Sequence, residues 1–242
     1  MDRALVPEED EDVPGFWRAL GLPGLADVHV HFLPPRLLRR VWQYFDEAGP
    51  LVGMSWPIRY KWSDTERVAR VFKVHLQVGG FAPDDPQLDE VWGLLAEARV
   101  PVVVHAGHAP VGTENTGPGP FGSLMARYPD LTAIVAHLGA PDYDAFLRMA
   151  ADYERVALDT TMVFTGFFDK LAPFPAGALP LARELGMAGK ILLGSDFPNL
   201  PYPYARQLAG LAGLDLGEDW LRAVCWDNPV AMFGLPEPVG GG

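Results

Sequence analysis

Three histidines stand at nearly equal intervals, and each closes an apolar run. Val71–Val78 contains His75, Val102–Ala106 contains His105 and Ala133–Leu138 contains His137, at spacings of 30 and 32 residues. A parallel (β/α) barrel allots roughly 31 residues to each strand-helix unit. Equal spacing therefore predicts equivalent points on three consecutive parallel strands. Further runs of the same character are Ala26–Phe32, Val156–Thr161 and Lys190–Ser195. Helical patterns at Leu88–Ala98, Phe121–Tyr128, Tyr143–Tyr153 and Leu179–Leu185 separate several of them, with Gly and Pro in the connections. Strands alternating with helices imply a parallel sheet with crossover helices. Residues 25–242 are read as one (β/α) barrel domain, preceded by an acidic leader over 1–24 whose Phe16-Trp17 pair is expected to pack on the barrel.

Composition narrows the partners. The 242 residues carry a formal charge of −12, which argues against nucleic acid, since phosphate binding needs clustered Lys and Arg. No apolar run reaches the ~18 residues of a membrane span, and the first residues lack a secretory pattern. The expected setting is the cytoplasm, with a small molecule as partner. Cys225 is the single cysteine. It lies on the apolar face of a predicted helix and is read as a buried thiol.

The chemistry-bearing residues gather at strand ends. In Asp27-Val28-His29-Val30-His31, alternation sends both imidazoles to one face, about 6–7 Å apart, where they can share an ion. His105 and His137 each close an apolar strand before a glycine, and Lys190–Gly194 leads into Ser195-Asp196. Parallel barrels build their sites at this end of the strands. Over Val71–Val78, Lys73, His75 and Gln77 share one face. That polar face is expected to line a site, because strands of parallel sheets are otherwise apolar on both faces.

Taken in order, Asp27–His31, Lys73–His75, Val104–Gly107, Ala136–Gly139, Gly194–Pro198 and the terminal Asp227–Gly234 resemble the amidohydrolase-related family. Within it, the chain is similar to the aminocarboxymuconate-semialdehyde-decarboxylase-like branch. The resemblance implies His29, His31, His105 and Asp196 as ligands of one divalent ion, zinc or else manganese. It makes His137 the acid/base group beside the activated water, with Asp196 sharing the proton transfer. In dinuclear relatives a lysine on the fourth strand is carboxylated and bridges two metals. In the mononuclear branch a lysine or histidine there faces substrate, and Lys73 and His75 fit this second case. Arg59, His108 and Asn199 complete the expected substrate contacts, with Phe32, Trp56, Phe197, Tyr202 and Tyr204 nearby. The implied activity is hydrolysis of a C–N or C–O bond in an amide, lactone or similar small molecule. The alternatives are non-oxidative decarboxylation of an unsaturated or aromatic acid, and a non-catalytic remnant.

The chain departs from that family in one place. His31 and His75 are 44 residues apart, where the first and fourth strands of a barrel stand about 90 apart. The interval holds a helix (Leu37–Ala48), a Trp- and Pro-containing loop and a second helix start at Ser63-Asp64-Thr65-Glu66, a capping box. That helix runs into the Val71 strand without a turn. The second and third βα units are therefore expected to be missing by deletion, unless Trp56–Trp62 supplies a strand. A gap in the wall would expose strand edges and predicts a chain that is unstable, self-associating through the gap, or inactive.

Overall fold

The structure, a computed structural model, describes residues 6–7, 12–31, 71–197 and 200–235. The expectations for Phe32, the 37–48 helix, Trp56–Trp62, Arg59, the 63–66 capping box and Asn199 lie outside the described residues.

Helix α1 (Val13–Ala19) comes first. The wall then alternates: β1 (Phe72–His75), α2 (Leu76–Gly79), α3 (Asp89–Glu97), β2 (Val102–His105), α4 (Pro118–Arg127), β3 (Ala133–Val135), α5 (Tyr143–Asp152), β4 (Val156–Asp159), α6 (Leu179–Met187) and β5 (Ile191–Leu192). Helices α7 (Ala205–Ala212), α8 (Glu218–Arg222) and α9 (Asn228–Phe233) close the described chain, with a π-turn at Ala223–Asp227 between the last two. The five strands are parallel and lie in sequence order, the arrangement that repeated right-handed βα crossovers produce. The Asp27–His31 segment runs beside β5 as a further stave. Val28 N donates to Leu193 O, Asp196 N to His29 O and His31 N to Phe197 O. Among the described residues these staves form an arc, and the barrel wall is incomplete between β1 and the first segment.

Alternation along the strands sorts the side chains into two layers. Val103, Ile134, Ala157 and Leu192 pack with Val28 and Ala136 on the inner side. Val102, Val104, Ala133, Val135, Val156, Leu158 and Ile191 pack outward against the helices. Each such side chain taken fully out of water contributes roughly 1.5–3 kcal/mol before entropy is counted. This explains why β2 to β5 are nearly continuous apolar runs. Val13, Phe16 and Leu22 belong to the outer core, so the Phe16-Trp17 region docks on the barrel as expected. Cys225 is buried.

Two elements differ from the sequence reading. The Val71–Val78 strand stops at His75, and Leu76–Gly79 turns into α2. The His75 ring accepts from Val78 N and caps that turn, and Gly80 ends it in the left-handed conformation. Gln77 therefore leaves the face that Lys73 and His75 share. The helix expected through Cys225 widens into the π-turn instead. The widening frees Val224 O to accept from Leu193 N and Cys225 O to accept from Ala26 N. The last helical segments are thereby tied to both staves that carry the site.

Candidate functional site

Chain geometry at the C-terminal strand ends brings five of the six histidines together. His29 and His31 have ring centroids 5.3 Å apart. His29 and His137 are at 5.6 Å, His105 and His137 at 4.8 Å. His75 stacks on His105 at 4.0 Å and 8°, as the β1–β2 register that pairs these two residues dictates. Several backbones here take the left-handed conformation without being glycine: His137, Leu138, Met162, Phe164 and Asp196. Such strain persists only where surrounding contacts impose it, and it clusters at functional sites. At Asp196 the imposed contact is its own N–H, held by His29 O at 2.8 Å. Gly107 follows His105 because a Cβ there would run into Ala140 O of the neighbouring loop.

A ligand trio stands at the centre. His29, His31 and Asp196 present donor atoms that all lie within 4.8 Å of one another. His31 Nε2 is 2.5 Å and His29 Nε2 3.2 Å from Asp196 Oδ1. Burial raises the Asp196 pKa, but hydrogen bonds and charge from the two imidazoles outweigh it and hold the carboxyl well below its ordinary range. Two imidazole nitrogens and an ionised carboxylate with an open side are the donor chemistry of a catalytic zinc site, so the residues fit the divalent ion that the motif order implies.

The surroundings of His29 reinforce that fit. Its Nδ1 faces Asp159 Oδ2 at 2.9 Å and Thr161 Oγ1 at 2.8 Å. Its Nε2 is 2.7 Å from Lys73 Nζ. Burial and Lys73 disfavour a charged imidazole, but Asp159 and Asp196 outweigh them and push its pKa up to about 9. Burial lowers that of Lys73. Two nitrogens at this distance cannot both present hydrogens, so the pair shares one proton.

His105 is not drawn into the trio. Its Nε2 donates to Ala109 O at 2.8 Å, and burial together with His75 lowers its pKa to about 4. His137 lies beside the trio, its Nδ1 donating to Thr161 O at 3.0 Å and its ring stacked on Phe168. Burial dominates there, lowering the pKa to about 3, so the ring is neutral and Nε2 keeps a lone pair. His75 is lowered to about 4, by burial and then by Lys73. His108 points elsewhere, pairing with Asp142 at 2.7 Å. Tyr204 donates to Asp27 Oδ2 at 2.9 Å, and Tyr202 is buried near Phe167.

A cavity of about 410 Å³ opens over this cluster. His31, Lys73, His75, His105, His137 and Asp196 make its polar side. Ala109, Pro110, Met162, Phe167, Phe168 and Leu171 make its apolar side. Sequence reasoning left Asp159 and Thr161 without a role. Asp159 carries the same signal as His105, a titratable residue closing an apolar strand, whereas Thr161 carries none.

These features define a parallel (β/α) barrel, incomplete in its described wall, with a His/Asp centre at the strand ends. The amidohydrolase family profile matches residues 63–235. The chain belongs to the amidohydrolase family. No curated protein matches it. An amidohydrolase from Burkholderia multivorans with bound zinc aligns over 94% of this chain and 89% of its own, at 14% identity and a TM-score of 0.58. A probable 2-pyrone-4,6-dicarboxylic acid hydrolase from Acinetobacter baumannii aligns over 97% and 94%, at 16% identity and 0.54. An uncharacterized TIM-barrel protein from Bordetella bronchiseptica aligns over 64% of this chain at 18% identity and 0.53. The chain spans 53% of that protein's length. At these identities the likeness establishes the barrel fold.

Proposed function

We propose that this chain is a metal-dependent hydrolase that cleaves a C–N or C–O bond in a small molecule, an amide, a lactone or a related group. The observation that carries the reading is the convergence of one ligand atom each from His29, His31 and Asp196 within 4.8 Å, with both Nε2 atoms facing Asp196 Oδ1. A divalent ion held by these atoms supplies a Lewis acid that polarises a carbonyl and makes water a nucleophile near neutral pH. Zinc is the first choice, on the imidazole-rich donor set and on the zinc in the Burkholderia relative.

The chain's own residues do the rest. Asp196, itself one of the trio, is ionised and accepts a proton from the attacking water. His137 is a neutral imidazole with a lone pair at Nε2, so it takes over that proton from Asp196 and delivers it to the leaving group. Its lowered pKa makes it a weak base and a strong acid once protonated, which suits leaving-group protonation. Lys73, half-buried on the polar side, orients a negatively polarised substrate atom. Phe168 and the exposed Phe167 and Leu171 on the opposite side receive an apolar or flat substrate body.

A second reading, decarboxylation, is favoured by the half-buried Lys73 facing an apolar wall, which would hold and partly desolvate a substrate carboxylate. Products separate the two. Incorporation of labelled water oxygen supports hydrolysis, whereas CO₂ release without incorporation refutes it.

Metal content tests the centre itself. The purified wild-type chain is expected to retain about one divalent ion, and His29→Ala and Asp196→Ala most of it to lose. Equal metal content in all three proteins would refute the assignment of these ligands.

A further inference from the structure

We infer that Asp159 is a positioning residue that fixes which nitrogen of His29 is left to bind a cation, while its other oxygen anchors the His137 backbone. The inference rests on the metal reading above and deepens it. Asp159 closes β4 on the inner face and is 0% exposed. Removing an ionised carboxylate from water is strongly unfavourable unless both oxygens are paired. Here both are. Oδ2 lies 2.9 Å from His29 Nδ1, and Oδ1 accepts from His137 N at 3.0 Å and Thr161 N at 3.1 Å.

A carboxylate only accepts, so Nδ1 of His29 must carry the hydrogen. The Thr161 hydroxyl, 2.8 Å away, is a second acceptor for it. Nε2, which faces Asp196 in the trio, is then the nitrogen that gives up its proton and turns a lone pair to a cation. In the opposite tautomer, a bare Nδ1 would face a buried carboxylate and Nε2 would present a hydrogen to the cation. The same carboxylate holds the left-handed His137, whose φ is 56°. One buried side chain therefore sets the ligand atom of one histidine and the placement of another. Partners of this kind on metal-ligating histidines are worth about 10–100-fold in metal affinity.

Asp159→Asn separates this role from simple packing. An amide has the same shape but a single oxygen, while three N–H groups now point at Asp159. If the oxygen stays with the His137 and Thr161 amides, the Asn NH₂ donates to Nδ1 and reverses the tautomer. The test is a long-range ¹H–¹⁵N correlation of the histidine rings in the full chain, with zinc affinity measured by competition against a chelating dye. In the wild type, His29 Nδ1 is expected to bear hydrogen at neutral pH; a bare Nδ1 overturns the inference. In Asp159→Asn, zinc affinity is expected to fall by about 10–100-fold, with Nδ1 losing its hydrogen. An unchanged affinity and unchanged ring signals in the folded variant also overturn it. Should the variant not fold, the wild-type ring measurement decides alone. If the wild type takes up no zinc, the metal reading fails while the ring measurement still tests Asp159.

Discussion

Gly194→Ala is the sharpest perturbation of the site that changes no functional residue. Gly194 sits behind the trio, between β5 and Asp196. A Cβ added there would run into Thr161 Oγ1 and lie 2.9 Å from His29 Cβ and 3.0 Å from Asp159 Cγ. Ordinary carbon contacts fall at about 3.5–4.0 Å, so the methyl group needs about 1 Å of room. None is at hand: Thr161 and Asp159 are 0% exposed and His29 is 2% exposed. Overpacking of this kind costs about 1–3 kcal/mol, and breaking the Thr161–His29 hydrogen bond adds about 1 kcal/mol. For a chain of this size each kcal/mol moves the melting temperature by about 2–4 °C, so a fall of roughly 4–16 °C is expected. Thermal unfolding followed by circular dichroism in chelator measures it, and a zinc titration should show weakened affinity because His29 is displaced. Gly93→Ala is the control, in α3 with nothing within 4 Å of the added atom; it should be neutral or gain up to about 1 kcal/mol. If Gly194→Ala melts with the wild type and binds zinc equally well, the tight packing behind His29 is refuted.

Two further outcomes follow from the same geometry. The His137 pKa lies at about 3 in the folded chain against 6.5 for a free imidazole. Between these values the unfolded state binds more protons, so stability falls as pH drops below 6.5 and levels off near 3, with a slope of up to about 1.4 kcal/mol per pH unit. Urea unfolding at several pH values should show a shallower acid loss in His137→Gln than in the wild type; equal slopes would refute a neutral buried His137. Asn228 donates to Gly186 O and Ile191 O, both at 2.8 Å, and ties α9 to α6 and β5. Asn228→Ala should cost about 1–3 kcal/mol by leaving these carbonyls without a donor, and Asn228→Asp more, because it turns an acceptor toward them. A melting temperature unchanged in both would show that this tie adds nothing.

Much of the fold was legible because it rests on local rules. The recurrence of apolar runs about 31 residues apart predicted consecutive parallel strands, and β1, β2 and β3 pair in that order. Val102–His105 reads as a strand from its β-branched run alone, and Asp89–Glu97 as a helix from its apolar period. The limits of β1 and β3 were not legible. A strand ends where its backbone hydrogen bonds find other partners, and at His75 and His137 those partners are a ring nitrogen and a distant carboxylate.

The motif order placed His29, His31 and Asp196 in one centre, and the structure brings them together. It did not separate His105 from that trio, since the reach of its Nε2 to Ala109 O depends on the turn of the following loop. Nor did it disclose Asp159 as the partner of His29, because those residues are 130 positions apart. Sequence alone determined which side chains stand at strand ends and on which face, since strand periodicity is local. Only the tertiary structure decided which nitrogen of each histidine is free and which carboxylate holds it, because hydrogen bonds between staves depend on register and curvature that no single strand encodes.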